Sequence, residues 1–245
     1  MTRNLKALGR ALAAALAIGA VAASGAVAQQ GTLTSDGPVT QIATQTGGAG
    51  ANTLSAFGLT IECPGSSYTG HKYNVTPNEL IPNGATTATL FPHFNQANHN
   101  CKAGSLPLTI ELNGCDDVVH LGETTGGVAG TYGVTLDFVC PAGKEVAVTI
   151  WTNTTDETNN VEPFCILRIP PQTGLKGLHV TDTGNGHVDF IGTIEGVKAS
   201  RSKGSNDAPI LCPTQETTAA KISLDLTGKG LNAAGEPTAI SLSHP

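Results

Sequence analysis

The residues with chemistry to offer are few. Asp116 and Asp117 are adjacent, whereas a two-carboxylate hydrolase sets its acids across a cleft. Neighbours on a strand point to opposite faces, so the pair reads as solvated turn acids. Sugar chemistry also needs aromatic platforms, and the chain holds one tryptophan, Trp151, with three tyrosines and six phenylalanines. His93 and His99 share a polar loop with Asn95 and Asn98, at a spacing that matches no helical metal site. Asp182-Thr183-Gly184-Asn185-Gly186 with Asp189 partly matches a calcium loop, but it lacks an oxygen side chain at the third position and a closing glutamate. As a two-residue hairpin at Gly184-Asn185, the same stretch would set Asp182 opposite His187, an ordinary cross-strand pair. There is no G-x-S-x-G elbow, and Ser66, Ser67 and Ser105 sit in turns, where serine serves turn geometry. The sequence therefore assigns no catalytic, cofactor-binding or metal residue.

Sulfur is the exception. Arg3, Lys6 and Arg10 precede an apolar run from Leu12 to Ala23, and Ala26-Val27-Ala28 follows, the pattern of a secretory signal peptide over residues 1–28 cut before Gln29. Cleavage would leave 10 basic against 19 acidic residues, a formal charge of −9. Such an acidic body repels nucleic-acid backbones and anionic membranes. No later apolar run is long enough to span a bilayer. Cys63, Cys101, Cys115, Cys140, Cys165 and Cys212 all follow the signal, and an even count in an exported chain predicts three disulfides. Fifteen pairings are possible. The expectation carried forward is the sequential one, Cys63–Cys101, Cys115–Cys140 and Cys165–Cys212, each stabilising by about 3–4 kcal/mol in the chain-entropy account. Close C-x-x-C pairs, which a zinc site would need, are absent.

The elements that must position these residues are strands. Leu108, Ile110 and Leu112 alternate with polar residues, as do Val134, Leu136 and Phe138, and Val146, Val148 and Ile150. Asn113-Gly114 is a strong hairpin signal after the first of these, with Val118, Val119 and Leu121 as the returning strand. Residues 29–52, rich in Gly, Ala, Thr and Gln, read as a flexible leader with one strand at Val39–Thr44. Thr152–Val161 reads as a loop. Ile222, Leu224 and Leu226 alternate in a late strand. About thirteen strand candidates, turn signals every 8–15 residues and no helical period after the signal predict an all-β, antiparallel two-sheet β-sandwich over 53–245. It would be jelly-roll-like or two packed small sandwiches, stapled by disulfides. The rival, a membrane barrel, would need aromatic girdles that this composition lacks. Sequons at Asn74 and Asn153 mark loops expected at the surface.

Asn113-Gly114-Cys115, Val139-Cys140-Pro141-Ala142-Gly143-Lys144 and the run from Cys165 to Gln172 resemble a group of uncharacterised secreted, cysteine-containing, β-rich proteins of actinobacteria. These share N-G-C and C-P-A-G-K motifs and a cysteine-led strand ending in glutamine. The resemblance covers Thr53 to Gly228 and implies export and a β-rich fold, with no activity attached. An aromatic residue often follows N-G-C in that group, where this chain has Asp116-Asp117. The resulting expectation is a secreted, non-catalytic module, structural or binding, outside the cell or on its surface, with a protein or envelope polymer as partner. It would take no cofactor and no nucleic acid. The alternative is a secreted hydrolase in which His93, His99 or His120 meets Asp116 or Asp117 only in three dimensions.

Overall fold

Period-two alternation places apolar side chains on one face of each strand, and the computed structural model closes those faces around a common interior. The structure describes residues 30–46, 52–70, 80–94, 100–124, 130–159, 163–204 and 212–243. It comprises seventeen strands and one short helix, α1 (Thr154–Asn159). Strand β1 (Thr32–Ser35) pairs with the last, β17 (Ile240–Ser243). The strands between them, apart from the two-residue β16 (Pro237–Thr238) that pairs with β15, resolve into eight long staves.

Six staves are broken in the middle. In order they are β2 (Thr40–Gln45) with β3 (Thr53–Ala56), β4 (Leu59–Glu62) with β5 (Ser67–Gly70), and β6 (Thr87–His93) with β7 (Lys102–Ala103). Then come β8 (Leu106–Glu111) with β9 (Asp116–Thr124), β10 (Thr131–Val139) with β11 (Val146–Trp151), and β12 (Pro163–Ile169) with β13 (Gln172–Asp182). Two staves run unbroken, β14 (His187–Lys203) and β15 (Gln215–Leu231). Each stave pairs antiparallel with the next, and β15 pairs back onto both β2 and β3, so the sheet closes on itself. The upper half holds β2, β5, β6, β9, β10 and β13. The lower half holds β3, β4, β7, β8, β11 and β12. The long pair β14–β15 spans both.

The all-β, antiparallel, disulfide-stapled sandwich expected from the sequence is present, with its layers joined by hydrogen bonds rather than left with open edges. Along β10, Tyr132, Val134, Leu136 and Phe138 face in and Thr131, Thr135 and Asp137 face out. Apolar-in and polar-out is the reverse of a lipid-facing barrel. Leu108, Ile150 and Leu167 fill the lower interior without measurable exposure. Leu33 of β1 and Leu242 of β17 plug the upper end against Val119, Leu121, Val188 and Phe190.

Several expectations change. The stretch 29–52 is not a free leader among its described residues, because β1 and β2 are both paired and β2 is a wall of the closed sheet. Asn113-Gly114 does turn the chain, with φ of 52° and 84°. It forms no hairpin, however: β8 pairs with β7 and β11, whereas β9 pairs with β6 and β10. The turn instead carries the chain from the lower half to the upper. The loop after Trp151 contains α1. The strands around Ile194 and Ile222 extend to 17 residues each. Their period-two signal is interrupted by register shifts between Ile194 and Val197 and between Val197 and Ala199. Glycine is required where β13 and β14 approach. A Cβ on Gly177 would stand 2.0 Å from the Thr193 carbonyl oxygen. The signal segment and the Asn74 sequon lie outside the described residues; Asn153 is exposed.

Candidate functional site

The described strand ends that flank the breaks lie side by side in the pairing, Ser67 beside Thr44 and His93, Asp116 beside Val139 and Glu111 beside Ala147, and form a waist. Backbone ladders stop there, so the orphaned polar groups need other partners. Side-chain amides, which carry both donor and acceptor, supply them. Asn52 Nδ2 donates to Ser66 Oγ (2.8 Å), and Asn52 Oδ1 accepts from the Asp225 N–H (2.8 Å) on unbroken β15. Gln45 Oε1 accepts from the Gly65 N–H (3.0 Å). Asn113 Nδ2 donates to the Glu145 carbonyl (2.9 Å). Gln172 imitates a strand residue against β14: its Oε1 accepts from the Lys198 N–H (2.8 Å) and its Nε2 donates to the Lys198 carbonyl (3.1 Å).

The three bridges are the sequential ones, and no free cysteine remains among the described residues. Two of them belong to the waist. Cys63 lies where β4 gives way to β5, and its partner Cys101 where the chain re-enters at β7. Cys115 lies in the crossing from β8 to β9, and Cys140 in the return from β10 to β11. Each bridge therefore ties a downward crossing to the adjacent upward one. Cys165–Cys212 joins β12 to the approach to β15, away from the waist.

Inside the waist is a cavity of about 90 Å³. Its wall draws on both halves: Leu54, Ile61, Ile110 and Val148 from below, and Tyr68 and Leu136 from above. Cys63 and Cys115 also line it. Leu54, Ile110, Leu112, Ile222 and Leu224 belong to the core by position but stay partly exposed, which marks an interior that side chains do not fill.

Asp117 projects into this cavity, flanked in register by Leu90 on β6 and Phe138 on β10. It is 8% exposed, as is Asp116, so the two are buried strand residues and not the solvated turn acids that adjacency suggests. Burial, and then the charge of Asp116, pushes the Asp117 carboxyl up to about 8. At neutral pH it is mainly the uncharged acid. Tyr68, buried beside it, has its phenol raised far above the usual value, first by burial and then by Asp117. Comparison with known protein families, curated proteins and solved structures finds no match to this chain.

The other candidates do not converge here. His120 meets Asp137 across the β9–β10 pair (Nε2 to Oδ2, 3.0 Å), on the face opposite Asp117, and Asp137 Oδ1 also accepts from the Gly174 N–H (2.7 Å). His93 is exposed and stacks edge-on against Phe91. His99, Asn95 and Asn98 lie outside the described residues. Ser66 is buried in the Asn52 contact, Ser67 opens β5, and Ser105 is exposed in a turn. Asp182 does not face His187. It pairs with Val188, while Thr183 N–H bonds the His187 carbonyl to close a longer turn. Both Asp182 oxygens accept backbone N–H groups, Gly184 at 2.7 Å and Leu242 at 2.9 Å, which pins β17 as the plug. Asp189 accepts from the Thr227 hydroxyl (2.7 Å).

Proposed function

We propose that the chain is an exported, non-catalytic binding module working outside the cell or at its surface, akin to the secreted actinobacterial proteins that its cysteine motifs resemble. The waist cavity is the observation that carries this reading. Apolar surface left accessible inside a cross-linked wall is what a pre-formed ligand site requires, because a rigid site loses little entropy on binding. Three bridges suit an oxidising compartment. Among the described residues no helix is long and apolar enough to cross a membrane. The partner is a protein or an envelope polymer presenting an apolar group to the waist.

The test is to express the full chain in a bacterial host and recover it from the medium and the washed envelope. The expected result is a mature chain starting at Gln29, with all six cysteines oxidised, that sediments with purified envelope and turns over no ester, glycoside or peptide substrate. Retention in the cytoplasm, or hydrolysis lost together with Asp117, would overturn the reading.

A further inference from the structure

We propose that the waist cavity binds the end of a neutral aliphatic chain carrying a hydrogen-bond acceptor, with Asp117 donating its acid proton to that acceptor. This rests on the binding-module reading and names its ligand class. The lining is dominated by aliphatic side chains from both halves, with Phe94, Phe138 and Tyr68 the aromatic contributions. At about 10–15 Å³ per water-sized guest, the volume corresponds to about six to nine heavy atoms. That suits a short chain or the end of a longer one whose remainder leaves through the partly exposed side bounded by Leu54 and Leu112.

Charge selects the ligand further. Among the described residues lining the cavity there is no Lys, Arg or His, so a carboxylate or phosphate would enter without a counterion. The ionisable groups facing Asp117 are Asp116 on its own strand and Tyr68 on β5, while β6 and β10 present Leu90 and Phe138. Asp117 lies on the cavity wall, and its carboxyl makes none of the side-chain hydrogen bonds found among the described residues. An uncharged acid in an apolar wall is an unused donor, and leaving a donor unsatisfied is unfavourable. A ketone, ester or ether oxygen would satisfy it; a hydrocarbon would not. Above pH 8 the acid ionises and becomes an acceptor only, so binding of a neutral acceptor must weaken.

The experiment follows amide shifts of the exported chain, bridges intact, during titration with hexan-2-one at pH 6 and pH 9, with hexylamine as the cationic counter-probe. The expected result is saturable shifts confined to the waist, with hexan-2-one bound about tenfold more weakly at pH 9 than at pH 6, as the protonated fraction of Asp117 falls. Asp117→Asn, which keeps a donor, removes that pH dependence. Ile110→Phe, which fills the cavity, abolishes binding while the unliganded spectrum remains that of a folded chain. No saturable shift with hexan-2-one at pH 6, hexan-2-one bound as tightly at pH 9 as at pH 6, or hexylamine bound more tightly at pH 6 than at pH 9, would overturn the assignment. Failure of the ketone with a chain that is exported, sediments with envelope and hydrolyses nothing sinks this assignment alone. Retention or turnover sinks the binding-module reading whatever the ketone does.

Discussion

The waist and the lower core are built from the same side chains and differ in how they are held. In the lower core, Leu108, Ile150 and Leu167 lie under continuous ladders of β8, β11 and β12, with no measurable exposure. At the waist six staves stop, and Leu54 and Ile110, still paired within β3 and β8 beside the breaks, and Leu224 on unbroken β15 are only partly buried. Hydrogen bonds between adjacent strands force side chains into register and close-pack them. Beside the breaks, where amides and disulfides take over from the ladders, the walls are fixed but the cavity between them is not filled. A filled core and an open cavity are thus separated along one closed sheet.

Several experiments can break or sharpen that contrast. The largest effect is expected at Asp117. Its carboxyl is raised in the folded state from about 4 to about 8, so the folded chain holds a proton that the unfolded chain has released between those values. Stability from this group is fully present below pH 4, falls as pH rises towards 8, and then levels off. The difference is on the order of 5 kcal/mol. Urea denaturation of wild type and Asp117→Asn at several pH values should show the wild type losing stability relative to the variant across that window. Parallel curves would place Asp117 in water.

Truncation compares the two regions directly. Leu167→Ala should destabilise by about 3–5 kcal/mol, because it opens a new void in a filled core. Leu54→Ala should destabilise by only about 1 kcal/mol, because its side chain is only partly buried and less apolar surface is lost from the interior. Equal losses in chemical denaturation would contradict the separation.

The bridges allow a third comparison. The Cys115–Cys140 loop spans 25 residues and the Cys165–Cys212 loop 47, so chain entropy assigns each about 3–4 kcal/mol, with the longer slightly ahead. Replacing both cysteines of either bridge by alanine should therefore lower stability by similar amounts. Ketone binding should be lost only with the waist bridge. Loss of binding in both variants would mean that the site depends on global stability and not on the local staple.

Much of the wall was legible from sequence. Alternation at Leu108–Leu112, Val134–Phe138 and Val146–Ile150 marks strands because one face of each is buried. The sequential pairing of cysteines also held. The waist was not legible. Asn113-Gly114 signals a turn equally well for a hairpin or for a crossing between halves, and the choice depends on which distant strand β9 pairs with. The long strands β14 and β15 hide behind register shifts that break their period, although they alone span both halves. Asp116-Asp117 looks hydrophilic locally, and its burial follows from Leu90 and Phe138, which reach it only after the sheet forms. Asn52 and Gln172 carry no signal of their pinning role except amides placed at strand breaks. Of the two acids that follow Asn113-Gly114-Cys115, it is the second, Asp117, that faces the cavity.

The side-chain carboxyl resonance of Asp117, followed by carbon NMR from pH 3 to pH 10 in the fully oxidised chain, tests the apolar waist most directly. A midpoint near 8 is the predicted result. A midpoint near 4 would contradict it, because a carboxyl in an apolar wall with no cation or hydrogen-bond donor beside it does not titrate there.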